Sequence, residues 1–141
     1  MKISDIMSTH PVTISPGQTL GEAATIMQRI DTGFLPVGED DRLVGMLTDR
    51  DIALRGVGAG KGPEATVGET MTEDVCYCFD DEEVEAVAQN MGEQQVRRLP
   101  VVNRDKRLVG VVSIGDLATR QAVPAAGAAL EEIAQPSDLH R

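Results

Sequence analysis

Aromatic side chains are almost missing from this chain. Phe34, Tyr77 and Phe79 are the only aromatic residues among 141, and tryptophan is absent. The core must therefore be aliphatic, and no aromatic platform for stacking single-stranded bases is expected. A basic excess is missing too, because 23 acidic side chains outnumber 13 lysines and arginines and give a formal net charge of −10. Such a surface repels polyanions, so we expect neither nucleic acid nor an anionic membrane as a partner.

Long apolar runs and histidine-based catalytic patterns are also missing. No segment approaches the roughly 20 apolar residues that span a bilayer, and residues 1–5 lack the apolar segment of a signal peptide. We therefore expect a cytoplasmic protein. The two histidines, His10 and His140, lie in no Ser-His-Asp or Cys-His arrangement. Because no catalytic set is visible, we predict that the protein is not an enzyme.

What the chain does contain is an internal repeat, and a repeat is a direct indication of architecture. Residues 43–51, LVGMLTDRD, return as residues 108–116, LVGVVSIGD. A spacing of 64 residues, which becomes 65 after one insertion, aligns these pairs: Met7 with Met71, Ala24 with Ala88, Leu35 with Leu99, and Asp51 with Asp116. The insertion falls in the polar segments 40–42 and 104–107, which we predict to be turns.

Each copy shows the same order of local patterns. Thr19 and Glu22 have the Ser/Thr-x-x-Glu spacing of a helix start, and apolar residues follow at helical spacing. In chain order, copy one predicts a strand at 12–14, a helix with the apolar face Leu20, Ala23, Ala24, Met27 and Ile30, strands at 34–37 and 43–47, and a closing helix at 49–55. Each copy is therefore β-α-β-β-α.

One copy of about 60 residues buries too little surface to be stable alone. We therefore predict an α+β fold of two tandem β-α-β-β-α repeats packed sheet to sheet with pseudo-twofold symmetry. The repeats are assigned to residues 1–57 and 67–121, with a Gly-rich linker at 58–66. Residues 122–141 are either a C-terminal tail or a short helix.

The two cysteines, Cys76 and Cys78, have a structural and a metal or redox interpretation. The repeat places them where copy one has Val12 and Ile14, and a free cysteine packs as a small hydrophobic residue. A structural zinc ion needs four ligands, and no histidine lies nearby. We expect structural cysteines and no metal, and keep a redox or metal protein as an alternative.

Two pairs of a hydroxyl and an acid, Thr48 with Asp51 and Ser113 with Asp116, are the candidate functional residues. This three-residue spacing is also that of an ordinary helix cap, so a purely structural role is one interpretation. The other is a ligand site, because each hydroxyl directly follows a buried strand and the free N–H groups of a helix start favour an anion. A phosphate on those amides, with ribose hydroxyls on the carboxylate, describes a nucleotide.

A bound phosphate would also need a cation nearby. Arg97 and Arg98 stand just before the Leu-Pro-Val segment of copy two, and Arg50 stands just before Asp51. Arginine can pair with phosphate through two parallel hydrogen bonds. For each of these arginines, a solvated surface charge is the alternative.

Together these features resemble the CBS domain, the family named after cystathionine β-synthase. Four motifs carry the resemblance from residue 3 to about 121: the β-α-β-β-α repeat, the Leu-Pro-Val segment, the Leu-Val-Gly strand and the Thr/Ser-x-x-Asp helix start. Residues 46–52 and 95–101 look like those of small stand-alone CBS-pair proteins of bacteria and archaea, including the mycobacterial hypoxic response type. The resemblance implies a Bateman module, often a homodimer, with two clefts for adenine nucleotides such as AMP, ATP, NAD or S-adenosylmethionine.

The resemblance also assigns ligand-binding roles within this chain. In one cleft, Ser113 and Gly115 would lie near phosphate and Asp116 on ribose; the other would use the equivalent residues of copy one. The ligand-binding residues implied are Thr13, Gly33, Phe34, Thr48, Arg50, Asp51, Tyr77, Arg97, Arg98, Ser113, Gly115 and Asp116.

The two copies differ where a phosphate would bind. Copy one has Gly33 where copy two has Arg97, and Arg50 where copy two has Gly115. We therefore expect the two clefts to be unequal, with the Arg50 side chain plugging the cleft of copy one. A ligand is expected first in the cleft beside Asp116.

The leading hypothesis is a non-enzymatic regulatory module that requires no cofactor. It would bind an adenine nucleotide as a regulatory ligand and signal to an unknown protein partner through its dimer geometry. The alternative is a ligand-free structural or interaction protein whose Thr/Ser-x-x-Asp motifs only cap helices.

Overall fold

The computed structural model describes residues 1–119 and 123–136. Contacts divide the chain into two compact units: unit 2 is Val12–Val75, and unit 1 combines Met1–Pro11 with the chain from Cys76 onward. The elements, in chain order, are a 3₁₀ turn (Ile3–Asp5), β1 (Ser8–Thr9), α1 (Leu20–Ile30), β2 (Phe34–Glu39), β3 (Arg42–Thr48), α2 (Asp49–Asp51), a π-helical turn (Ile52–Gly56), a 3₁₀ turn (Val57–Ala59), α3 (Val67–Thr70), β4 (Cys78–Phe79), α4 (Val84–Gln94), β5 (Arg98–Val102), β6 (Leu108–Ser113), α5 (Ile114–Thr119) and α6 (Val123–Ile133). This mixture of helices and strands confirms the predicted α+β class.

Unit 2 is organised around the hairpin of β2 and β3. The antiparallel strands are joined by Asp40 and Asp41, whose positive φ values of 53° and 63° suit a tight two-residue hairpin turn. The strand predicted at 12–14 is reduced to a single parallel bridge between Ile14 and Val37. The predicted closing helix at 49–55 is the short α2 followed by the π-helical turn.

α1 places its apolar stripe in the core of unit 2. Its predicted start is confirmed, because the Thr19 hydroxyl accepts the Glu22 N–H at 3.1 Å. Ala24 and Ile30, which the pattern placed on the apolar face, are exposed because they lie at the edges of the buried stripe. The core residues of unit 2 are Ile14, Leu20, Ala23, Met27, Leu35, Val37, Leu47 and Val67.

Unit 1 contains a four-stranded sheet in the order β1-β6-β5-β4. β5 and β6 form an antiparallel hairpin, β4 runs parallel to β5, and β1 pairs antiparallel with β6. The core of unit 1 consists of Ile3, Ile6, Cys78, Val84, Val87, Ala88, Met91, Leu99, Val101, Val112, Leu117, Ala126 and Ala129. As the composition predicts, no aromatic ring is buried in the described part of the chain.

The opening segment of each repeat copy packs against the other copy. Met7 crosses Gly110, where an added Cβ would lie 2.7 Å from the Met7 Sδ. In the same way Met71 crosses Gly45, where an added Cβ would lie 2.6 Å from the Met71 Sδ. Close approach therefore explains the glycine of both Leu-Val-Gly strands, because an added Cβ would also lie 2.7 Å from the Ser8 carbonyl oxygen at Gly110 and 3.0 Å from the Thr72 carbonyl oxygen at Gly45. This exchange is why residues 1–11 belong to unit 1.

Part of the predicted C-terminal segment is a packed helix. Ala126, Ala129 and Ile133 of α6 are buried, and Gln95 Nε2 donates to the carbonyls of Glu132 and Gln135, each at 3.1 Å. Within the described ranges, no helix is both long and apolar enough to cross a membrane. His140 and the rest of the C-terminal segment lie outside the described residues.

Candidate functional site

In unit 1, the predicted pair Ser113 and Asp116 lies where β6 leads into α5. The Ser113 hydroxyl accepts the Asp116 N–H at 3.1 Å, and the Asp116 Oδ2 accepts the Ser113 N–H at 2.8 Å. Both residues are half-buried. The pair therefore forms a reciprocal cap at the edge of the sheet, with the carboxylate held against the first turn of the helix.

In unit 2, Thr48 and Asp51 have the same arrangement where β3 leads into α2. The Thr48 hydroxyl accepts the Asp51 N–H, and the Asp51 Oδ2 accepts the Thr48 N–H, both at 3.0 Å. The structural interpretation of the motif is thus realised in both units. Each cap uses one carboxylate oxygen, Oδ2, and the second oxygen, Oδ1, takes no part in it.

Four further predicted residues lie directly beside these pairs. In the hairpins, Phe34 is paired with Thr48 and Arg98 with Ser113. One residue earlier, the Gly33 carbonyl accepts the Asp49 N–H at 2.9 Å, and the Arg97 carbonyl accepts the Ile114 N–H at 3.0 Å. The two arginines are exposed. The hairpin ends therefore bring Gly33 and Phe34 to the first pair and the two arginines to the second.

Arg50 and Gly115 occupy the second position of α2 and α5, one residue before each acid. Both are exposed. A Cβ at Gly115 would have only the Ser113 Oγ within 4 Å, at 3.5 Å, so the backbone of this turn is open to close approach.

For Thr13 and Tyr77, the contacts recorded among the described residues lie elsewhere. The Thr13 Cβ lies 3.9 Å from where a Gly38 Cβ would be, and Thr13 is exposed. The Tyr77 ring meets Phe79 edge to face, with 5.7 Å between centroids. Their assignment to a ligand stays a prediction.

Two residues that the sequence reasoning did not single out, Asp49 and Ile114, occupy equivalent positions at the two helix starts. The Asp49 carboxylate lies over Gly33, where an added Cβ would come 2.6 Å from its Oδ2, and its Oδ1 accepts the Arg50 N–H at 2.8 Å. Ile114 instead packs partly against the core of unit 1. Alignment of the two copies contains the signal, because it pairs Asp49 with Ile114 and Gly33 with Arg97.

A surface cluster lies next to β4 in unit 1. Arg104 binds the Asp81 carboxylate through two hydrogen bonds of 2.8 and 2.7 Å, and its guanidinium carbon lies 4.1 Å from the centroid of the Phe79 ring. The hydrogen bond from Arg104 lowers the pKa of the Asp81 carboxyl. The cluster attaches the loop between β5 and β6 to the strand that carries Phe79.

The cysteines differ in environment. Cys78 is 1% exposed in the core of unit 1, and this burial, with smaller effects of Glu82 and Asp80, raises the pKa of its thiol to about 12. Cys76 is half-buried beside Gln94. Because metal ligands and nucleophiles are thiolates, Cys78 fits the structural role. No group of three or more His, Cys, Asp or Glu that could hold a metal ion occurs among residues 1–119 and 123–136.

The family model of the CBS domain matches residues 3–57 and 67–122. The chain is a CBS-domain protein. Both matched segments carry the strand and Thr/Ser-x-x-Asp helix start described above, so the predicted pair of CBS repeats is confirmed.

Two curated relatives match most of the chain. The CBS domain-containing protein YhcV of Bacillus subtilis is 42% identical over 132 residues, which are 93% of this chain and 94% of YhcV. Hypoxic response protein 1 of Mycobacterium tuberculosis is 42% identical over 116 residues, which are 81% of this chain and 80% of that protein. The predicted resemblance to the hypoxic response type of CBS-pair protein is therefore confirmed.

Solved structures of CBS pairs have the same fold and different bound groups. Hypoxic Response Protein I with two coordinated zinc ions has a TM-score of 0.77 and 40% identity over 85% of this chain and 98% of its own. The CBS domain pair of MJ0100, in complex with 5′-methylthioadenosine and S-adenosyl-L-methionine, has a TM-score of 0.76 and 30% identity over 88% and 98%. CBSX2 in complex with AMP has a TM-score of 0.74 and 26% identity over 87% and 96%.

Proposed function

We propose that this CBS pair is a non-enzymatic regulatory module that binds an adenine nucleotide. The ligand class is supported by one observation above all: MJ0100 and CBSX2, CBS pairs of the same fold, bind compounds built on adenosine. In this chain the binding residues are those beside the two caps, with Ser113, Gly115 and Asp116 as the principal set.

The local geometry supports this assignment. The Asp116 carboxylate is held in place by the Ser113 N–H through Oδ2, which leaves Oδ1 to accept hydrogen bonds from a ribose diol. The exposed Arg97 and Arg98 stand at the adjoining hairpin end and supply the positive charge that a phosphate needs. No side chain projects from Gly115, so a ligand can approach its backbone closely.

The module acts as a homodimer that passes its ligand state to a separate protein. Binding stabilises one dimer arrangement, and the partner responds to that arrangement. A second function, ligand-free interaction, is favoured by one specific observation: both hydroxyl and acid pairs already satisfy each other as helix caps.

Calorimetric titration of the full chain with AMP, ATP and NAD tests the proposal. We expect saturable binding of at least one of them, and loss of most of that binding in Asp116→Ala, because this substitution removes the ribose acceptor. Glu69→Ala is the matched control: Glu69 completes the capping box of Thr66 at the start of α3, so this variant loses a cap of the same kind away from the predicted site.

The two variants separate a ligand role from a capping role. Each should lower the free energy of unfolding by about 1 kcal/mol, as loss of a cap does, but only Asp116→Ala should lose nucleotide. If no nucleotide produces heat with the unmodified chain, the ligand-free interaction function stands instead. Equal binding by the Asp116→Ala variant would remove Asp116 from the site.

A further inference from the structure

Asp49 makes the two helix starts chemically different. In unit 2 its backbone N–H is bound by the Gly33 carbonyl, so the carboxylate lies over Gly33 and its Oδ1 accepts the Arg50 N–H at 2.8 Å. An added Cβ at Gly33 would be 2.6 Å from the Asp49 Oδ2 and 2.9 Å from its carboxyl carbon. The chain thus carries an exposed carboxylate beside the Thr48 and Asp51 cap, bound by the Arg50 N–H, and a side chain at position 33 would make this carboxylate move.

Unit 1 has no acid at the equivalent place. Ile114 takes the position of Asp49, its N–H bound by the Arg97 carbonyl at 3.0 Å, and its side chain packs partly against the core. Arg97 replaces Gly33, and Arg98 follows it. No salt bridge of either arginine is recorded within the described part of the chain.

We propose that Asp49 gives the two proposed ligand sites different specificities. Its carboxylate excludes phosphate from the site at Thr48 and Asp51, so a nucleoside monophosphate binds once per chain, at Ser113 and Asp116. The site in unit 2 takes an adenosine compound without phosphate. This inference rests on the proposed function.

Charge and hydrogen bonding both support the exclusion. A carboxylate and a phosphate a few ångströms apart repel each other, most strongly where water is displaced by the ligand. The amide of Arg50 is already occupied by Asp49, so a phosphate would have to displace an internal partner. Adenosine has no anionic group, so it is not repelled by Asp49 and does not need the Arg50 amide. Its ribose hydroxyls still reach the carboxylate of Asp51.

The test counts AMP and adenosine bound per chain by calorimetry. We expect one equivalent of AMP for the unmodified chain and a second equivalent for Asp49→Asn, which keeps the size and the hydrogen-bond acceptor of Asp49 but removes its charge. Adenosine should bind both proteins alike. Asp74→Asn is the control, because it removes another exposed acid of unit 2 and should leave one equivalent.

A reciprocal variant tests the same idea in unit 1. Ile114→Asp places an acid beside Arg97 and should weaken AMP binding at least about tenfold, with a smaller effect on adenosine. Because Ile114 packs partly against the core, thermal unfolding checks that this variant is folded.

Failure of this inference can be told apart from failure of the proposed function. Two AMP equivalents on the unmodified chain, or one on Asp49→Asn with adenosine binding intact, would overturn the role of Asp49 and leave nucleotide binding in place. If neither AMP nor adenosine binds the unmodified chain, the proposed function fails and this inference fails with it.

Discussion

Cys78 shows how one buried side chain ties stability to pH. Its thiol sits in the aliphatic core of unit 1, with the sulfur 4.0 Å from the Pro100 carbonyl oxygen, and burial raises its pKa from 9.0 to about 12. The folded chain therefore holds this proton more tightly than the unfolded chain. The contribution of Cys78 to stability is complete below about pH 9 and is lost as the pH rises from there toward 12.

We predict that Cys78→Val flattens this alkaline loss. The repeat equivalent of Cys78 is Ile14, which is also buried, so an aliphatic side chain suits the position. Between pH 8 and about 10.5, the unmodified chain should lose about 2 kcal/mol more free energy of unfolding than the variant. Urea unfolding of both proteins at the two pH values measures the difference, and parallel losses would contradict a buried neutral thiol.

The candidate site could be predicted from the sequence only where its geometry is local. The three-residue spacing of Ser113 and Asp116 is visible in the chain, because a helix cap involves near neighbours. The placement of Asp49 over Gly33 is not visible, because it depends on a backbone hydrogen bond between residues 16 apart in sequence. Comparison of the two repeat copies is what brings such a position to notice.

At the scale of elements, α6 has no counterpart in copy one. It covers α4 at Gly92, where a Cβ would lie 3.4 Å from the Ala129 Cα. In copy one the residue equivalent to Gly92 is Gln28, which is exposed. The sequence left a helix and a tail both open for this segment, because alanines and glycines give no clear pattern of apolar and polar faces. The structure shows a helix that packs on α4.

Two glycine substitutions test how α6 packs on α4. Gly92→Leu places a side chain where α6 approaches α4, and we expect it to lower the free energy of unfolding by about 1 to 3 kcal/mol. Gly127→Ala, in α6 itself, has nothing within 4 Å of the added Cβ and should raise stability by up to about 1 kcal/mol through helix propensity. Urea unfolding gives both values. A neutral Gly92→Leu would show that α6 does not rest on α4.

At the scale of the molecule, the repeat and the compact units do not coincide. Local patterns predicted both hairpins, their polar turns and the start of α1, because alternation, turn chemistry and capping act between neighbours in sequence. The exchange of the opening segments could not be predicted in this way. Ile3 lies in the core built around residues 84–117, and its repeat equivalent, Val67, lies in the core built around residues 14–47.

Ile3→Ala and Val67→Ala test whether the two copies exchange their opening segments or each copy forms its own compact unit. Both side chains are fully buried, so each truncation should cost about 2 to 4 kcal/mol. Because Ile3 belongs to unit 1, Ile3→Ala should increase amide hydrogen exchange over residues 76–119, although it lies at the start of copy one. Val67→Ala should do so over residues 12–57, although it lies at the start of copy two. Faster exchange of residues 12–57 in Ile3→Ala, with residues 76–119 unchanged, would refute the exchange, because a core loses protection where its own packing is removed.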